Sequence, residues 1–220
     1  MKKLILGLAI FASIGTSAFA ANPPLKGYKT PDSMGCMMLQ ECKEGVEEIT
    51  SWKQFGVTGY EPFAEELDSI FAGLNKSGIK VFLADEKYFI PLARGLYYVL
   101  GNNMFLNKYY IYNPLMMVKV VRHESWHAAQ DCMAGTIDNS MIALIMDEEK
   151  VPTIWQKIAE ASYTSTPHAI PWEKEATWAG KTAGMTQKAL AACADGEMWK
   201  VYEPTPLTRK WLIENNYIDK

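Results

Sequence analysis

Asn113-Pro114-Leu115-Met116-Met117-Val118-Lys119-Val120-Val121-Arg122-His123-Glu124-Ser125-Trp126-His127-Ala128-Ala129-Gln130-Asp131-Cys132-Met133-Ala134-Gly135 is the stretch that decides the fold. Asn followed by Pro is a helix start: the amide side chain can cap, and proline suits the first helical position. From Leu115 to Ala134 there is no Gly or Pro, and Gly135 supplies a left-handed stop. Leu115, Met116, Val118, Val120, Val121, Ala128, Ala129 and Met133 make most sides of this helix apolar, so it belongs in the core. In its middle stands His123-Glu124-Ser125-Trp126-His127, an HExxH segment. Residues four apart share one helix face, one turn above each other. Two imidazoles so placed can hold one zinc ion, and the glutamate between them can act on a metal-activated water. Without a partner, two histidines and a glutamate would be costly in an apolar helix.

Catalytic sites of this type need a third protein ligand and keep one position open for water. The chain has only three histidines, so the search is short. A metzincin pattern would need Gly at 130 and His at 133, where the chain has Gln130 and Met133. His168 lies in a Thr-Pro-His-Ala-Ile-Pro loop, a poor place for a rigid ligand. Pro171 can open a second helix running to about Cys193, and two carboxylates lie near its start. Glu173 fits a solvated first-turn acid favoured by the helix dipole. Glu175 fits that role less well and is the preferred third ligand, with Glu173 second and His168 third.

With Glu175-Ala176 downstream, the HExxH segment resembles the gluzincin zinc metallopeptidases, in which the ligand glutamate sits on a later helix and is often followed by Ala. The run His127 to Gly135 is also similar to the end of the active-site helix in thermolysin-like enzymes. Two features depart from that pattern: the spacing from His127 to Glu175 is longer, and Ala179 stands where an acidic residue would follow the ligand by one turn. The likeness is therefore to a small, divergent gluzincin, spans Leu96 to about Ala179, and extends to secreted proteins encoded by phages. It implies an α+β, zincin-like fold: a small twisted sheet with a hairpin, packed on the active-site helix, with further helices around it. Its edge strand would pair with an extended peptide substrate. The reading of the site is Zn2+ held by His123, His127 and Glu175, with Glu124 as general base. Asp131, one turn past His127, either orients an imidazole or is a polar residue near the helix end. By residue type alone, Tyr163, His168 and Tyr202 are candidate oxyanion donors.

The N-terminus has Lys2-Lys3, an apolar run from Leu4 to Ile14, and Ser17-Ala18-Phe19-Ala20. This is a signal-peptide pattern over residues 1–20, too short to span a bilayer, with cleavage after Ala20. A secreted or periplasmic chain with no membrane segment follows, comprising one domain over residues 21–220. Losing Lys2 and Lys3 takes the formal charge from −3 to −5, and no basic face or tail suggests nucleic acid. Hydrophobic content of 49% and seven tryptophans suffice for one packed domain.

Four cysteines in an exported chain suggest two disulfides. If 34–49 is a helix, Cys36 and Cys42 sit on different sides of it; if the second metal helix is straight, Cys193 lies about 27 Å beyond Glu175. Both points disfavour Cys36–Cys42 and Cys132–Cys193 bonds and favour each early cysteine bonding a late one, unless the helix breaks at Gly180 or Gly184. Strands are expected at Ile79–Ala84 and in a hairpin, Leu96–Leu100 and Met104–Leu106, turning at Gly101-Asn102-Asn103. A third short run covers Tyr109–Tyr112. Packing helices are expected at 61–76 and 151–161, with a possible last helix at 205–217, and the loop 162–171 can rim the site. The sequence reads as an exported zinc metallopeptidase acting on peptides or proteins. The other readings are a non-catalytic zincin-like binding or structural protein, and a zinc hydrolase of cell-wall amides.

Overall fold

The computed structural model describes residues 10–14 and 32–219. Most of the leader expected at residues 1–20 lies outside this range. Its described part, Ile10–Ile14, is strand β1. Then follow α1 (Asp32–Met38), β2 (Val46–Ile49), α2 (Ala64–Lys76), β3 (Lys80–Ala84), β4 (Ala93–Tyr98), β5 (Asn103–Asn107), α3 (Pro114–Met133), α4 (Thr153–Ser162), α5 (Ile170–Lys181), α6 (Met185–Ala194), α7 (Met198–Val201) and α8 (Pro206–Glu214). The fold is α+β. No helix among the described residues is long and apolar enough to cross a membrane.

The sheet is mixed, in the order β1-β4-β5-β3-β2. β4 and β5 form the expected hairpin, with Leu96 opposite Phe105, and Asn102 takes the left-handed conformation that its turn requires (φ 53°). β3 pairs with β5 in parallel, and β1 pairs antiparallel with the outer edge of β4, Phe11 opposite Tyr97. Side chains alternate across the sheet, so one strand serves two cores. Val81, Leu83, Met104, Leu106 and Tyr97 face the core shared by α2 and α3. Phe82, Ala84, Leu96 and Phe105 face the opposite core with Met34, Met37 and Tyr88. There Phe82 and Phe105 stack with centroids 5.1 Å apart.

α3 forms as its sequence dictates. The Asn113 side chain accepts from the Met116 N–H, Pro114 occupies the first turn, and Gly135 leaves the helix at φ 114°. Every residue from Val120 to Met133 is buried, because the sheet, α2, α5 and α6 surround the helix.

Four expectations are corrected. The segment 34–49 is not one helix: α1 stops at Met38 and the chain returns as β2, which pairs with β3. With Cys42 freed from the helix, Cys36 and Cys42 bond at a Cα separation of 5.1 Å. The helix from Pro171 does not reach Cys193 unbroken. It ends at Lys181, turns through Gly184 (φ 84°), and returns as α6. That reversal brings Cys193 to Cys132, Cα atoms 5.6 Å apart, and bonds them. Closing a sequence separation of 61 residues stabilises the fold by about 4 kcal/mol in the loop-entropy account. Finally, Tyr109–Tyr112 lies in a 3-10 turn, Lys108–Tyr112, that carries β5 into α3.

Candidate metal centre

His123 and His127 project from α3 with their Nε2 atoms 3.3 Å apart. Glu173, on α5, places one carboxylate oxygen 3.2 Å from His123 Nε2 and the other 3.5 Å from His127 Nε2. All three side chains are buried. Two ligands at about 2.05 Å from a tetrahedral zinc ion stand about 3.3 Å from each other, so these donors have the spacing of a zinc ligand set. His123, Glu124 and His127 also lie within 4.8 Å of one another, counting one ligand atom from each.

The structure thus brings His123, His127 and Glu124 together as the sequence predicts, but the carboxylate that bridges the two imidazoles is that of Glu173 and not Glu175. The two differ by about 200° around the axis of α5, so only one can face the paired imidazoles. The rotation of α5 is set by close packing on α3. A Cβ at Gly180 would lie 3.1 Å from the Lys119 carbonyl oxygen and 3.2 Å from His123 Cβ. Glu173, Thr177 and Gly180 occur at the i, i+4, i+7 spacing of one helix face, and Gly180 puts that face against His123.

Glu175 has a different task. Its carboxylate accepts from Trp126 Nε1 (3.1 Å), Gln130 Nε2 (2.7 Å) and the backbone N–H groups of Ile145 and Met146. Gln130 in turn presents its side-chain oxygen 2.8 Å from His127 Nδ1. The chain Glu175–Gln130–His127 therefore fixes the ring whose Nε2 faces Glu173, an arrangement that orients a metal-ligating imidazole. The position of Gln130, three residues after His127 on the same helix, is the sequence signal for this contact. Asp131 does not perform this role: its carboxylate accepts from the Tyr97 hydroxyl at 2.7 Å.

The electrostatics separate the carboxylates. Burial pushes Glu173 up, but the two imidazoles override it and hold its carboxyl at about 2. For Glu175, burial outweighs the lowering by its N–H donors and pushes it up to about 7. Burial pushes Asp131 up to about 8 in spite of the Tyr97 hydrogen bond. Burial lowers His127, but Glu173 and Glu124 raise it further, leaving it above the usual histidine value.

Glu124 is fully buried beneath β4. A Cβ at Gly95 would lie 2.8 Å from Glu124 Cγ and 2.7 Å from Val120 Cγ1, so only glycine lets the strand pass this close. An open cleft that reaches the centre at His123 is lined by His123, Arg94, Lys119, Ser162, Tyr163 and Lys181, among others. Ser162 and Tyr163, at the start of the 162–171 loop, line this cleft; no later residue of the loop does. Of the candidate oxyanion donors, Tyr163 lines this cleft, while His168 and Tyr202 do not. His168 is exposed, in the 3-10 turn Pro167–Ala169.

Comparisons with protein-family models, with curated proteins and with solved structures find no match to this chain.

Proposed function

We propose that the protein is an exported, zinc-dependent hydrolase of peptide bonds, a divergent relative of the gluzincins. The observation that carries this reading is the convergence of His123, His127 and Glu173 on one point, with Glu124 close to both imidazoles and His123 opening onto a cleft. The donor set is two imidazole nitrogens and a carboxylate, which zinc accepts and which leaves room for a further ligand. When bound there, zinc supplies Lewis acidity and lowers the pKa of a coordinated water to about 7.

The remaining roles belong to the chain. His123 and His127 bind through Nε2 as neutral imidazoles, so acid competes with metal for them. Gln130 holds His127 at Nδ1, and Glu175 holds Gln130. Glu124 takes a proton from the attacking water and returns it to the leaving amine. Tyr163, which lines the cleft, is the candidate donor to the oxygen on which negative charge develops. The edge of β4 receives the substrate backbone: antiparallel pairing of β1 there supports the capacity of this edge to take another strand. Cleavage after Ala20 would remove β1 and bare that edge.

The test compares the zinc-loaded wild type with Glu124→Gln on an unfolded protein substrate. Hydrolysis should fall by at least a hundredfold in the variant, with zinc content and circular dichroism unchanged. Equal activity of the two proteins rejects the reading.

A further inference from the structure

The cleft over His123 carries a charge pattern that hydrolysis of a neutral peptide would not use. Arg94 from β4, Lys119 from α3 and Lys181 from α5 all line it, and no acidic side chain does. The backbone contacts that build the centre also place these cations. Lys119 precedes His123 by one turn, Lys181 follows the Gly180 that packs on His123, and Arg94 precedes the Gly95 that lies over Glu124.

None of the three joins an ion pair with an acidic group among the described residues. Lys174, on the same helix as Lys181, is by contrast clamped between Glu148 and Glu160. Arg94 Nε is buried with no hydrogen-bond acceptor among the described residues, and its guanidinium carbon lies 5.6 Å from the centroid of the Tyr110 ring. A ring at that distance favours a fixed guanidinium plane. Burial, then repulsion from Lys119 and Arg94, lowers the Lys181 pKa. In a chain of net charge −3, three uncompensated cations around one cleft are a local concentration and not a reflection of composition.

We propose that this cleft seats a carboxylate of the substrate among Arg94, Lys119 and Lys181, so that the centre acts on anionic peptides. The inference rests on the peptide-hydrolase reading above and names its substrate class. Two sources offer the same chemistry: the terminal carboxylate of a peptide, and an aspartate or glutamate side chain beside the scissile bond. Arg94 suits either, since its planar fork matches a carboxylate in two parallel hydrogen bonds.

Binding separates the possibilities without catalysis. Zinc-loaded Glu124→Gln protein would be titrated calorimetrically with N-acetyl-tetra-alanine as free acid and as amide. The same protein would then be titrated with amidated N-acetyl-Ala-Ala-Glu-Ala and its Gln counterpart. We expect an anionic peptide to bind about tenfold or more tightly than its neutral counterpart. A preference for the free acid identifies the terminal carboxylate, and a preference for Glu over Gln identifies the side chain. Either preference should weaken with added salt and disappear in a Lys119→Gln/Lys181→Gln background whose circular dichroism matches the parent. Equal binding of all four peptides, no binding of any, or a preference that survives the double substitution overturns the proposal. Wild-type protein assayed on the same peptides keeps the two readings apart. Selective binding without hydrolysis retains the cleft and rejects the peptidase, whereas equal hydrolysis of neutral and anionic peptides retains the peptidase and rejects the cleft.

Discussion

Glu173 and Glu175 stand two residues apart on one helix, are equally buried, and do opposite things. Glu173 meets two imidazole nitrogens and is held ionised, with a pKa of about 2. Glu175 meets four N–H groups, from Trp126, Gln130, Ile145 and Met146, and its pKa sits near 7. One carboxylate is a candidate ligand; the other braces the helix pair and, through Gln130, aims a ligand ring. Burial is common to both, so it is the partners that divide the roles.

The largest expected effect breaks this comparison at Glu173. Glu173→Gln should abolish stoichiometric zinc binding, read as metal content after gel filtration, because a neutral amide is a poor substitute for the carboxylate. A variant that keeps one zinc per chain would move the third ligand elsewhere. Glu124 extends the comparison to a third buried carboxylate, one positioned by a strand. Gly95→Ala should shift it and lower kcat by about a hundredfold while metal content stays intact, since misplacement by about 1 Å costs that much. Loss of zinc in this variant would show that β4 supports the whole centre and not the base alone. Glu175→Gln replaces an acceptor by an amide before four donors and releases Gln130. Zinc affinity should fall by about 10–100-fold without being abolished. An affinity equal to wild type would reduce the Glu175–Gln130–His127 chain to packing.

The smallest effect sharpens the electrostatic side, at Asp131. Its folded pKa of about 8 lies above the ordinary value of 3.8. Between those two values the folded chain retains a proton that the unfolded chain has lost, so stability falls as pH rises from about 4 to about 8. Asp131→Asn should flatten this part of the pH–stability curve, measured by denaturant unfolding of metal-free protein. An unchanged slope would assign the pH dependence to other groups.

Much of this fold was legible. Asn113, Pro114 and Gly135 marked both ends of α3, His123 and His127 shared a face by spacing alone, and Gly101-Asn102-Asn103 located the hairpin turn. All these signals are local. Which carboxylate meets the imidazoles was not local: it depended on how far α5 is rotated about its own axis, which is decided by Gly180 against His123 and by no feature of Glu173 or Glu175. The disulfides failed to be read for the same reason. A short helix ending at Met38 and a reversal at Gly184 changed which cysteines could meet, and each break turned on a few residues. β2 was hidden because Val46-Glu47-Glu48-Ile49 carries only a weak alternation and owes its strand to the neighbouring β3.

The bond between Cys132 and Cys193 has one further consequence. It closes a covalent ring that contains Glu173 and the loop rimming the cleft, while both imidazoles lie outside it. Exposed Ser165, Pro167 and His168 in that loop are an accessible place for a proteolytic cut. A single nick there would leave two polypeptides, one bearing His123 and His127 and the other bearing Glu173, still tethered through sulfur. The clipped protein would run intact on a non-reducing gel and as two bands after reduction, with its metal donors supplied by separate chains.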